Sequence, residues 1–171
     1  TIEIRMFLKN KLTCKDLLLR KAPLPVINIE GWIKTKRSLK NIVFIELNDG
    51  SCQSNLQIVI NDETKLSEPL ETLSTGASIS VNGNLIESEG ANQKWEVSAE
   101  SISVLGYCDI DYPLQKKRHS DEFLRGIAHL RGRTNKYAAL ARIRSQLSFS
   151  IHNFLLLSIL FNDSSSNICV F

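Results

Sequence analysis

Residues 42–60 read IVFIELNDGSCQSNLQIVI, two alternating apolar runs separated by a polar turn. In the first run Val43, Ile45 and Leu47 share one parity, and Ile42, Phe44 and Glu46 share the other. Successive side chains of a strand leave opposite faces, so the first set reads as core and the second as outward. Asn48-Asp49-Gly50 is turn chemistry and ends the strand. In the second run Leu56, Ile58 and Ile60 read as core, while Asn55, Gln57 and Val59 face out.

Outward from this pair the same period recurs. Val26 to Lys34 alternates, with Ile27, Ile29 and Ile33 on one side. Lys34, Lys36, Arg37 and Lys40 then crowd a segment expected to be a loop. Residues 62–73 are polar, with Leu66, Leu70 and Leu73 at helical spacing, so a short helix interrupted near Pro69 is expected. Ala77 to Leu85 alternates again, and Lys94 to Leu105 supplies a fifth strand. In that strand Trp95, Val97 and Ala99 face in and Glu96, Ser98 and Glu100 face out. Thr13 to Asp16 reads as a capping box ahead of Leu17, with Pro23 and Pro25 closing a short helix. Five short strands with a helix between the third and fourth predict a mainly β chain built on an OB-fold barrel over residues 24–106. Residues 1–23 form an N-terminal helical extension. Residues 107–133 read as a linker with a short helix over 121–130. Residues 134–171 begin a second domain with one long helix. Thr134 is its expected N-cap, and Tyr137, Leu140, Ile143, Leu147 and Ile151 form its apolar stripe.

Composition excludes several classes. The 171 residues are 43% hydrophobic and 23% charged, which is ordinary globular composition. The longest apolar stretch, 149–161, is interrupted by His152 and Asn153 and is too short for a membrane span. No secretory signal is visible, so the expected location is cytoplasmic. Cys14, Cys52, Cys108 and Cys169 lie far apart, as do the three histidines, which argues for free thiols and against a metal site. The net charge of +3 conceals three blocks. Residues 1–60 carry +5, residues 61–115 carry −8 and residues 116–171 carry +6. Two basic blocks around an acidic one fit either a nucleic-acid partner or a simply solvated surface.

Parity places Phe44, Gln57 and Glu96 together outside the barrel, on or beside neighbouring strands. An outward aromatic stacks on an unpaired base, and an outward amide or carboxylate reads base edges. The basic run beside them attracts phosphates. Parity leaves a second reading open, in which Phe44 packs under the N-terminal helix and Gln57 is one more solvated polar group.

Three segments carry a resemblance: Glu30-Gly-Trp-Ile-Lys-Thr-Lys-Arg37, Phe44-Ile-Glu-Leu-Asn-Asp-Gly-Ser51 and Leu56-Gln-Ile-Val-Ile60. They resemble the anticodon-binding domain of the class II aminoacyl-tRNA synthetases that charge asparagine, aspartate and lysine. Tyr112-Pro-Leu-Gln-Lys-Lys-Arg-His119, Ala128-His-Leu-Arg131 and Arg133-Thr-Asn135 are similar to the asparagine–tRNA ligases in particular. The resemblance covers residues 13–155. It implies that Phe44 stacks on the middle anticodon base and that Gln57 hydrogen-bonds the same base, a uridine. It also implies that Glu96 contacts the first anticodon base and that Lys36 and Arg37 contact the anticodon loop.

The pattern departs from the family beyond Leu155. The Arg-x-Glu motif that binds ATP and the Gly-rich third motif are absent, and Gly126 and Gly132 stand where the family pattern has Glu and Pro. The only acid in residues 136–171 is Asp163. No catalytic residue is therefore assigned, and no cofactor or metal is expected in this chain. The complete enzyme would use ATP and Mg2+, with a tRNA substrate and a homodimeric assembly. The expected function is anticodon recognition as the N-terminal part of an asparagine–tRNA ligase, the chain alone being unable to catalyse. A frameshifted, truncated or incompletely recorded gene would account for the tail. The alternatives are a stand-alone tRNA- or single-strand-binding OB module, and a piece of an aspartate–tRNA ligase.

Overall fold

The computed structural model describes residues 11–39, 42–62, 64–88, 90, 93–109 and 111–163. Helix α1 (Cys14–Leu18) opens it. Strand β1 (Leu24–Leu39) pairs antiparallel with β2 (Ile42–Asn48), which pairs antiparallel with β3 (Leu56–Ile60). After a two-residue β4 (Lys65–Leu66) come β5 (Ser78–Glu87) and β6 (Trp95–Gly106). β5 pairs with both β1 and β6. A parallel pairing of β3 with β6 closes the sheet into a barrel. Closure removes the exposed edges that an open sheet would leave.

The core follows from the alternation. Ile27, Ile29, Ile33, Ile45, Leu47, Leu56, Ile58, Ile79, Val81, Leu85, Trp95 and Val97 are buried in one cluster. α1 adds Cys14 and Leu17 to it, and burying a leucine contributes about 2 kcal/mol. The first four backbone N–H groups of a helix have no partner in its hydrogen-bond ladder. Here the Cys14 N–H donates to Asp49 Oδ2 (2.8 Å) and the Lys15 N–H to Ser51 Oγ (3.0 Å). The Asp16 N–H donates to Thr13 Oγ1 (3.2 Å), and Asp16 returns the capping box by accepting from the Thr13 N–H (3.1 Å). The β2–β3 turn is thereby stitched to the helix. The Trp95 indole N–H donates to the Arg20 carbonyl (3.0 Å), tying down the segment after the helix.

Three expectations need correction. The basic run from Lys34 is not a loop, because β1 continues through it to Leu39, kinked by an irregularity between Ile33 and Thr35. One strand can then wrap two sides of the barrel, pairing with β5 in its first half and β2 in its second. Lys40 lies outside the described residues. The segment expected to be a helix between the third and fourth strands is instead β4 and one 3₁₀ turn at Leu70–Thr72. Lys65 and Leu66 find a ladder on β6, and Pro69 precedes the turn, where it cannot extend a helix. The helix expected over 121–130 ends at Gly126, a residue unfavourable inside helices.

The chain forms two compact units divided between Arg118 and His119. The second holds α2 (Asp121–Gly126), a 3₁₀ turn (Arg131–Arg133) and α3 (Asn135–Asp163). Ser120 caps α2 through its Oγ, which accepts from the Phe123 N–H (3.2 Å). Thr134 stands at the start of α3, but its hydroxyl donates to the Arg131 carbonyl (2.7 Å) and fixes the preceding turn. Lys136 pairs with Asp121. Leu140, Ile143, Leu147 and Ile151 on α3 are exposed, as are Phe149 and residues 154–157.

Candidate nucleic-acid interface

Strand register decides which side chains share the outer face. Thr35 sits opposite Glu46, Glu46 opposite Gln57, and Gln57 opposite Glu96. The next row runs Arg37, Phe44, Val59, Ser98. Directly paired residues lie side by side on one face of a sheet. Phe44, Gln57, Glu96 and Arg37 therefore come together on the β1–β2–β3–β6 surface. Gln57 Nε2 donates to Glu96 Oε2 (3.2 Å). Phe44 is half-buried between Arg37 and Val59 on the outer face and does not lie under α1, which packs into the core.

Lys36 is placed differently. It pairs with Ile45, a core position, so it leaves β1 on the opposite side from Arg37. Its ammonium donates to the Leu70 carbonyl (2.6 Å), and burial lowers its pKa while nearby Glu71 pulls it back up. The outer face thus carries Arg37, exposed and without an ion-pair partner among the described residues. Lys34, at the irregularity of β1, supplies a second cation. Burial lowers its pKa, and attraction to Glu46 opposes that.

A polar network surrounds these groups. Asn55 Nδ2 donates to Glu46 Oε2 (3.0 Å), and Asn48 Nδ2 donates to Asn55 Oδ1 (3.1 Å). Ser88 Oγ donates to Glu96 Oε2 (2.9 Å), and Gln93 Nε2 reaches the same oxygen (3.4 Å). Trp32, 41% exposed, stands opposite Asn48 and extends the face at its far end. Parity could have found Trp32, since it flanks the inward Ile33. Ser88 and Gln93 carry no periodic signal, and only the β5–β6 hairpin brings them to Glu96. Among the described residues no group of three or more His, Cys, Asp or Glu could hold a metal ion. No described helix is long and apolar enough to cross a membrane.

The face combines the Phe44 ring on β2, the Gln57 amide on β3, the Glu96 carboxylate on β6 and the Arg37 cation on β1, so the second and third barrel strands lie at its centre. OB-folds bind oligonucleotides on these strands and their adjoining loops. Residues 27–105 match the family described as OB-fold nucleic acid binding domain, of the tRNA anticodon type, and the barrel is a domain of that class. Over 140 residues, 81% of this chain, it is 51% identical to the asparagine–tRNA ligase of Nitratidesulfovibrio vulgaris. It is 49% identical over 145 residues to that of Treponema denticola. The chain carries the OB-fold anticodon-binding domain of the kind found in these asparagine–tRNA ligases. It spans about 30% of the length of the curated relatives it matches. The asparaginyl-tRNA synthetase of Pyrococcus horikoshii complexed with asparaginyl-adenylate has the same fold over 87% of this chain and 35% of its own. The TM-score there is 0.74 and the identity 22%.

Proposed function

We propose that the barrel reads the anticodon loop of an asparagine-accepting tRNA, within the cytoplasmic asparagine–tRNA ligase family. The observation that carries this reading is the assembly of Phe44, Gln57, Glu96 and Arg37 on one face by strand register. Phe44 stacks on the middle base, Gln57 and Glu96 hydrogen-bond base edges, and Arg37 meets the loop phosphates. Lys36, pinned to Leu70, supports the strand from behind and is assigned no contact with the loop. The complete ligase attaches asparagine to tRNA with ATP and Mg2+, as a homodimer. The charging chemistry is assigned to sequence that the relatives have beyond this match. The 171 residues alone are expected to bind tRNA without charging it.

The test is a titration of the chain against RNA hairpins carrying the loops GUU (asparagine), GUC (aspartate) and a scrambled control, across a range of salt. Preference for GUU, lost in Phe44→Ala, supports the reading. Equal binding of all three hairpins refutes it in favour of a generic single-strand binder.

A further inference from the structure

Ser88 and Gln93 flank the β5–β6 connection, at the rim of the face that carries Gln57 and Glu96. Ser88 Oγ accepts from the Gly90 N–H (3.1 Å) and from Gln93 Nε2 (3.1 Å). Both partners can only donate. A hydroxyl has two lone pairs and one proton, so its proton must go to Glu96 Oε2, at 2.9 Å. Gln93 Nε2 and Gln57 Nε2 aim at the same oxygen. Three donors thus hold one oxygen of Glu96. An ionised carboxylate cannot donate, so Gln57 must turn its NH2 toward it. That leaves Gln57 Oε1, an acceptor, without a partner among the described residues, on the outward side of β3.

We propose that Ser88 and Gln93 are positioning residues for base reading. By holding Glu96 they fix the Gln57 amide with its carbonyl oxygen outward, which selects a base offering a ring N–H. Uracil offers N3–H at its Watson–Crick edge, and cytosine offers a bare N3 acceptor there. An unrestrained amide turns over and serves either base, so the restraint is the source of the discrimination. The inference rests on the anticodon reading above.

The experiment measures affinities of the full chain for hairpins whose middle loop base is uridine, cytidine or 3-methyluridine. The variants are Ser88→Thr, which keeps the hydroxyl, and the pair Ser88→Ala with Gln93→Met, which removes both donors. Wild type is expected to prefer uridine over cytidine and 3-methyluridine. The double variant is expected to lose about fivefold or more of the uridine-over-cytidine preference, partly by binding cytidine better. Its salt dependence and thermal midpoint should stay close to wild type, and Ser88→Thr should keep the preference. Tighter binding of cytidine is a gain that general damage to the fold does not produce. An unchanged preference, or equal weakening on both bases, overturns the inference alone. A wild type without any middle-base preference overturns the anticodon reading first and the inference with it.

Discussion

Phe44 occupies a position where a substitution is expected to change binding and leave stability nearly untouched. It is half-buried on the outer face between Arg37 and Val59, and the core cluster does not include it. Base stacking on such a ring contributes about 1–3 kcal/mol. Phe44→Ala is expected to weaken hairpin binding about tenfold or more, and Phe44→Trp to preserve it, both read by fluorescence titration. The thermal midpoint should move little in either variant. Gly83 has the opposite character. A Cβ there would lie 2.1 Å from the Ser98 carbonyl oxygen, a backbone atom that cannot step aside without breaking the β5–β6 ladder. Gly83→Ala is expected to destabilise the barrel by about 2–3 kcal/mol in a denaturant titration. Phe44 could be read as outward from its neighbours in sequence. The demand for glycine at 83 could not, because the contacting atom lies fifteen residues away on another strand.

At the scale of the element, α1 is five residues long and too short to persist alone. Asp49 holds it in place. Burial pushes the Asp49 carboxyl upward, but hydrogen bonds from the Ser51 side chain and from the backbone N–H groups of Cys14 and Ser51 outweigh it. They hold the carboxyl below its ordinary value of 3.8. A folded-state pKa below the unfolded one means that the contribution is complete above 3.8 and drains away as pH falls through the lower folded value. The group is partly solvated, so Asp49→Asn is expected to cost about 1 kcal/mol at pH 7. The gap between wild type and variant should close as the pH falls progressively below 3.8, followed by thermal unfolding. The capping box was legible because it is local, spanning Thr13 to Asp16. Asp49 looked like turn chemistry alone, and its second task depends on a helix thirty-five positions away.

Across the whole molecule, charge determines how binding responds to salt. Each phosphate neutralised on a single strand adds about 0.7 to the slope of log affinity against log salt. Arg37→Ala is expected to reduce that slope by about this amount. Lys36→Met is expected to leave the slope nearly unchanged and to lower stability instead, because it loses the bond to Leu70. Titrations between 50 mM and 300 mM salt separate the two. In the second unit, exposed Leu140, Ile143, Leu147 and Ile151 form an apolar patch of the kind that drives self-association. Light scattering from the full chain should rise with concentration, and Ile143→Lys with Leu147→Lys should suppress it.

Alternation in 42–60 and its neighbours was enough to read the inward set, the barrel class and three members of the outer face, since a strand's period fixes facing without reference to any other segment. The same logic failed for the basic run after Ile33. A strand that carries an irregularity and pairs with two different partners has no single period to detect. It failed again over 62–73, where three leucines at helical spacing were outweighed by pairing with β6 and by Pro69. Adjacent in sequence, Lys36 and Arg37 part company only once β1 is laid against β2 and Leu70 arrives behind it. Gln57 meets Glu96 because the barrel closes through β3 and β6, and the β5–β6 hairpin brings Ser88 and Gln93 to the same carboxylate. Facing is a local property of the chain, whereas partnership across a closed sheet exists only after the sheet has closed.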